Sequence, residues 1–272
     1  MLAASRESLA DAVDRLDQVV AGADADSLRT FGDELFAVLG LLVRERVLRR
    51  HLTDPGSPAE ARERLARAVL GGKVGEPVVD TVAGLAHSRW STSVDLLEAV
   101  ETLARRAVLV VAERDGVLED VEDELFRFGR ILTAQPKLRE LLADDGAPVD
   151  GRIALLDGLI ADKVTAPTRQ LLEATVRVPR GRSLEFVVGK LAELAAAMRS
   201  RSMATVTAAA PLSDEQERRL AQTLSTIFGR AVSVQVELDP EVLGGLVIRV
   251  GDEVIDGSVA ARLARARQQL PS

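Results

Sequence analysis

The stretch Glu237-Leu238-Asp239-Pro240-Glu241-Val242-Leu243-Gly244-Gly245-Leu246-Val247-Ile248-Arg249-Val250-Gly251-Asp252-Glu253-Val254-Ile255-Asp256-Gly257-Ser258 decides how the C-terminal part of the chain folds. Asp239-Pro240 opens a turn, because Asp bonds its own backbone and Pro fixes φ, and Gly244-Gly245 permits backbone angles that a Cβ forbids. Val247 to Val250 and Glu253 to Ile255 are β-prone runs separated by Gly251-Asp252, a two-residue connection that closes a tight hairpin. Asp256-Gly257 ends the second strand. Ser258 then caps a helix whose face carries Val259, Leu263, Ala266 and Leu270.

Upstream of this stretch, Met203 to Thr207 is a short β-prone run closed by Pro211. Ser213, with Gln216 at the capping-box position, starts a helix whose stripe is Leu220, Leu224, Ile227 and Phe228, and Gly229 stops it. Val232, Val234 and Val236 alternate with polar residues as a strand does. Residues 203–272 therefore read as a small α+β domain.

The rest of the chain repeats itself. Asp33-Glu34-Leu35-Phe36 returns as Asp123-Glu124-Leu125-Phe126, and the same offset of 90 aligns Leu52 with Leu142, Asp54 with Asp144, Gly56 with Gly146, Pro58 with Pro148, Arg62 with Arg152 and Pro77 with Pro167. Apolar positions and stop signals coincide in one ungapped register, which marks a duplicated helical unit. In the first copy Leu35, Leu39, Leu42 and Val43 trace one helical face. Thr53-Asp54-Pro55-Gly56 breaks it, Ser57-Pro58-Ala59-Glu60 predicts a capping box with Pro at the first helical position, and Gly71-Gly72 stops the next helix. Val94 to Arg114 lacks Gly and Pro, so the last helix of one unit is expected to continue as the first of the next. The fold expected is mainly α: two tandem helical bundles, 1–105 and 106–202, followed by the α+β domain.

Composition narrows the function. Apolar residues reach 47% but aromatics only 3%, so the core must be built from Leu, Val and Ala, which suits helix on helix. A net charge of −7 argues against a nucleic-acid backbone as partner, and the cluster Arg44, Arg46, Arg49, Arg50 reads as a solvated helix face or a contact rim. Without Cys there is no disulfide, thiolate nucleophile or thiolate metal site. Asp11, Asp14 and Asp17 interrupt the first apolar stretch, so no export signal is expected, and the longest apolar run, Ala107 to Ala112, is too short to cross a bilayer. His51 and His87 lie on different expected helices with no carboxylates arranged as a ligand set, and no Gly-x-Ser-x-Gly elbow occurs. Asp144-Asp145 falls on a turn signal, and Gly244-Gly245 enters a strand rather than a helix that could cradle phosphate. Catalytic residues, metal ligands and cofactor sites are accordingly read as none. Trp90 beside Arg89 fits either an interface anchor or a bundle core.

The C-terminal signature resembles that of the delta subunit of F-type ATP synthases, the bacterial counterpart of the oligomycin-sensitivity-conferring protein. Asp239, Pro240, Gly244, Gly245, Arg249, Gly251, Asp252, Asp256, Gly257, Ser258, Arg262 and Leu263 carry the likeness, and Arg180-Gly181-Arg182-Ser183-Leu184 extends it. The additional bundle resembles actinobacterial forms. The resemblance implies a stator with no catalysis of its own: a peripheral-stalk subunit whose helical part receives alpha-subunit N-terminal helices. Its C-terminal domain would hold the C-terminal helix of the b subunit, with no nucleic acid and with the membrane reached only indirectly, at its cytoplasmic face. The extra bundle is expected to add a contact with a further alpha helix or along b. Arg249 and Asp256, flanking a tight hairpin, are read as serving the turn. The competing reading is a helical adaptor for another coiled coil.

Overall fold

The computed structural model describes residues 1–228, 232–239, 242, 244–251 and 253–263, with the backbone alone at Arg201 and Ser202. Of the expectations above, those on Gly229, Pro240, Leu243, Asp252, Ala266 and Leu270 lie outside the described residues. The chain divides into two compact units, Met1–Ala195 and Ala196–Ser272.

The first unit is helical throughout. Its helices are α1 (Ala3–Gly22), α2 (Ala25–Arg44), α3 (Arg46–Leu52), α4 (Ala59–Leu70), α5 (Glu76–His87), α6 (Ser93–Arg114), α7 (Leu118–Ala134), α8 (Pro136–Ala143), α9 (Val149–Ile160), α10 (Ala166–Arg177) and α11 (Leu184–Ser202), the last running across the division. α4 and α9, and likewise α5 and α10, begin and end at positions separated by the same 90 residues as their sequence repeats. α6 is one unbroken helix that closes the first repeat and opens the second. Its residues Leu96, Ala99, Val100, Leu103, Ala104, Ala107, Val108 and Leu109 are all fully buried. A helix buried over most of its circumference belongs in the middle of a bundle, and that is where the apolar run Ala107 to Ala112 goes.

The repeated tetrads show what the repeat conserves physically. Leu35 and Leu125 are each 0% exposed in the core. Glu34 accepts from the Gly75 backbone N–H at 2.9 Å, and Glu124 from that of Thr165 at 3.0 Å. Gly75 and Thr165 are the N-cap residues of α5 and α10, so each Glu satisfies an orphan donor and places negative charge at a helix N-terminus. The turns repeat as well: Asp54 accepts from Gly56 N–H at 3.0 Å and Asp144 from Gly146 N–H at 2.9 Å. The expected capping box at Ser57 does not form. Pro58 is the N-cap of α4, and the Ser57 hydroxyl donates instead to Asp54 at 2.9 Å, which leaves the Ser57 carbonyl free to accept from Arg62.

An ion cluster joins the repeats. Glu101 on α6, 4% exposed, receives Arg105 one turn on and Arg180 and Arg182 from the turn between α10 and α11. Arg180 and Gly181 both take positive φ, 55° and 67°, and so bring both arginines back onto one carboxylate. Burial alone would raise the Glu101 carboxyl, but the Arg182 hydrogen bond and the Arg105, Arg182 and Arg180 charges outweigh it and hold it below its ordinary range. Burial draws Arg105 down to about 10 in spite of Glu101. Trp90 is buried, and its indole donates to Leu85 O at 2.7 Å, so it serves the bundle core.

The second unit is a four-stranded sheet, order β2-β1-β3-β4, with β1 Met203–Ala208, β2 Ser233–Leu238, β3 Leu246–Val250 and β4 Glu253–Asp256. β1 runs parallel to β2 and antiparallel to β3. Helix α12 (Asp214–Phe228) starts with the reciprocal cap expected of Ser213 and Gln216, at 2.8 and 3.3 Å. Ala204, Val206, Leu224, Val232, Ile248 and Val250 form the core, with Leu220 and Phe228 packed against it. Ile227 departs from its expected stripe: it is 61% exposed, on the shoulder of α12 rather than over the sheet.

Candidate functional site

Two surfaces stand out, a groove in the helical unit and a set of exposed apolar side chains in the second. In the helical unit, a groove of about 340 Å³ runs between α1 and α5. Ala12, Leu16 and Val19 line one side, Pro77, Thr81 and Gly84 the other, with Arg15 and Asp80 adding charge. Ala12 and Leu16 are buried on their helix whereas Val19 stays exposed at the rim. A Cβ on Gly84 would come to 4.0 Å from the Arg15 guanidinium carbon, ordinary contact with a flexible side chain of the opposite wall.

The duplication supplies a second copy of this surface to compare. Gln170 and Ala174 on α10 stand 90 positions after Asp80 and Gly84, and in the second repeat that place is taken by α2 of the same chain. Asp33 accepts from Gln170 at 2.6 Å, and Phe36, Ala37 and Gly40 of α2 face Ala174 across a cleft they share. Gly32 allows the close approach: a Cβ there would meet Val108 of α6 at 3.1 Å and Gln170 at 3.5 Å. An amphipathic helix therefore lies on the second copy, while the first copy lies open.

In the second unit, the signature residues converge. Gly244 and Gly245 both adopt φ of 81°, and a Cβ on Gly245 would come within 2.5 Å of Gly257 O and 2.9 Å of Ser258 Cα. Gly257 N–H donates to Leu246 O at 2.9 Å and Val259 N–H to Gly244 O at 3.0 Å, so the glycine pair, strand β3 and the start of the last helix are tied together. Asp256 accepts from Ser258 N–H at 2.9 Å, and the Ser258 hydroxyl accepts from Ala261 N–H at 3.2 Å as its N-cap. Asp239 N–H donates to Ala208 O at 2.9 Å, and Gly251 turns the hairpin with φ of 58°. Arg249 projects into solvent from the middle of β3, and Arg262 and Leu263 are also exposed. Val254, Ile255, Val259 and Leu263 are exposed apolar side chains, at 54, 39, 39 and 58%; Val254 and Ile255, successive on β4, point to opposite faces of the sheet.

Reading the sequence identified this second set but passed over the α1–α5 groove. Its signal was available in the offset: Gly84 and Ala12 are the small residues of the first copy, where the second has Ala174 and Thr102. Among the described residues no three His, Asp or Glu side chains come together as a metal set, and His87 faces a single carboxylate, Glu63, at 3.3 Å. No helix among the described residues is long and apolar enough to cross a membrane.

A helical body with an open groove and a small α+β module with exposed apolar side chains have the surfaces of a docking protein. A family model described as the ATP synthase delta (OSCP) subunit matches residues 104–270, starting within α6, and the chain belongs to that family. The whole chain is 49% identical over 269 residues to ATP synthase subunit delta of Streptomyces avermitilis, covering 99% of this chain and 98% of that one. It is 46% identical over 272 residues to the subunit delta of Streptomyces coelicolor, covering 100% and 99%. ATP synthase subunit b-delta of Mycobacterium sp. (strain KMS) is 49% identical over 271 residues; this chain spans 61% of its length. A solved chain of the Toxoplasma gondii mitochondrial ATP synthase hexamer aligns at a TM-score of 0.31 and 23% identity over 62% of this chain and 96% of that one. The function is that of a stator, a non-catalytic peripheral-stalk subunit of the proton-translocating synthase.

Proposed function

We propose that the two surfaces divide the stator's work: the α1–α5 groove takes an N-terminal helix of an alpha subunit, and the β4 edge with residues 259–263 takes the C-terminal helix of b. The observation carrying the first half is the filled second copy, in which the surface of α6 and α10 already holds an amphipathic helix, α2. A surface of the same ancestry left open at α1 and α5 fits a helix of the same kind. The second half is supported by the exposed apolar side chains of β4 and by the mycobacterial relative whose name joins b and delta in one chain.

In this reading 1–105, 106–202 and 203–272 act as head-binding body, internal spacer and stalk-binding module at the cytoplasmic face of the cell membrane, held there through b. Two moderate interfaces on one chain reinforce each other through effective concentration. The deciding experiment is Val19→Asp, at an exposed rim position where a core change is avoided. It should weaken binding of an alpha N-terminal peptide by tenfold or more, about 1.4 kcal/mol, with b-subunit affinity unchanged. Unaltered peptide affinity would remove the groove from the interface.

A further inference from the structure

Around Glu101 the charges do not balance. Arg105, Arg180 and Arg182 all converge on this one carboxylate. A further arginine, Arg49 of α3, lies next to them: the charges of Arg46 and Arg180, after burial, are what disfavour its charged form. Arg49 is half-buried, makes no ion pair among the described residues, and has a single donor placed, Nη1 on Leu42 O at 3.1 Å. Its Nε is buried without a hydrogen-bond partner, and so is the Nε of Arg182. Buried donors without acceptors are costly, and guanidinium forks are shaped for planar oxyanions. Arg182, at 27% side-chain exposure, and the exposed Arg46 reach solvent.

The cluster is not a product of the duplication. The first-repeat counterparts of Arg180 and Arg182 are Trp90 and Thr92, and Glu101 and Arg105 answer to Leu191 and Ala195 one repeat later. It occurs once, where α3, α6 and the α10–α11 turn meet.

We propose that Arg46, Arg49, Arg180 and Arg182 form a binding site for one further oxyanion, a second acceptor placed opposite Glu101. Such an anion completes the donors of Arg49 and Arg182 and offsets the surplus positive charge at the junction of the two repeats. Its source is either a free phosphate-type anion or a carboxylate group.

The test titrates inorganic phosphate into the full chain at fixed ionic strength, with chloride as the matched salt, and follows unfolding through Trp90 fluorescence. A saturating rise in melting temperature of about 3–6 °C above chloride at tenfold excess over Kd is expected. Arg49→Gln should weaken the phosphate affinity at least tenfold, and Arg182→Gln, at the partly exposed arginine, supplies the same readout if Arg49→Gln does not fold. Repeating the titration with acetate separates the sources: an acetate response matching that of phosphate assigns the site to carboxylates, and a response to phosphate alone assigns it to phosphate-type anions. Phosphate and chloride acting alike on the wild-type chain, or a phosphate response untouched by both substitutions, overturns the proposal.

Discussion

Arg62 and Arg152 occupy the same position in successive repeats and are 6% and 5% exposed, yet Arg62 donates to five backbone carbonyls and Arg152 to one. Arg62 ties the turn at Asp54 and Ser57 to the end of α5 at Ala86, His87 and Ser88. Arg152 reaches Val176 O at 3.0 Å and keeps its Nε without a partner. The same side chain is thus a five-point clasp in one bundle and, in the other, is held by one backbone bond and a 3.8 Å ion pair to the exposed Asp145.

Arg62→Met should therefore destabilise the helical unit by about 3 kcal/mol and Arg152→Met by about 1 kcal/mol, since each lost charged bond leaves a buried carbonyl unpaired. Urea unfolding midpoints at constant m-value check the order of the two. Equal losses would mean that the side-chain stems, not the bonds, carry the stability.

Glu101→Gln should cost about 3–5 kcal/mol, because it leaves several guanidiniums without their acceptor. Its pH signature follows from the direction of its shift. A carboxyl held low in the folded chain contributes fully above the ordinary carboxylate range and loses that contribution as pH falls through the lowered folded value. Wild-type stability should fall more steeply than that of Glu101→Gln below about pH 4, measured by urea midpoints across an acid series.

Gly245→Ala should disrupt the second unit alone. The added Cβ meets backbone atoms at 2.5 and 2.9 Å, and a φ of 81° is strained for any side chain, so a loss of about 2–4 kcal/mol is expected. Hydrogen exchange should accelerate in β3, β4 and residues 257–263 while α6 keeps its protection, and b-subunit affinity should fall with it.

The one tryptophan, Trp90, gives a domain-specific probe. Because it is buried in the Met1–Ala195 unit, its emission should shift on the unfolding of that unit and be silent to Gly245→Ala. A fluorescence change on Gly245→Ala would show that strain in the sheet module reaches the bundle.

Much of this architecture was legible because its signals are local and repeated. The 90-residue register, the Gly- and Pro-free span that became α6, the Ser213 cap and the hairpin at Gly251 all rest on residues near one another in sequence. What stayed hidden depends on long-range pairing. Glu101 meets Arg180 and Arg182 from 79 and 81 positions away, and of the arginines read as a solvated face or contact rim, Arg44, Arg46 and Arg50 are exposed while Arg49 is half-buried. The groove escaped notice because it is defined by what is missing: only the comparison of α1 and α5 with α6, α10 and the α2 laid on them reveals an unfilled place. Ile227 is 61% exposed although its neighbour Phe228 packs on the core, so it lies off the covered side of α12.

Since α6 forms a wall of both repeats, neither bundle owns it. A cut before Ser93 removes the first repeat and strips cover from the apolar side of α6 that faced α1 and α2, and a cut after Arg114 deprives the second repeat of its opening helix. At ~1.5 Å per residue, this shared helix of 22 residues is a strut of roughly 33 Å with no joint in it. Torque delivered at one end is carried to the other through one continuous helix, and loss of either bundle strips cover from the helix the other relies on.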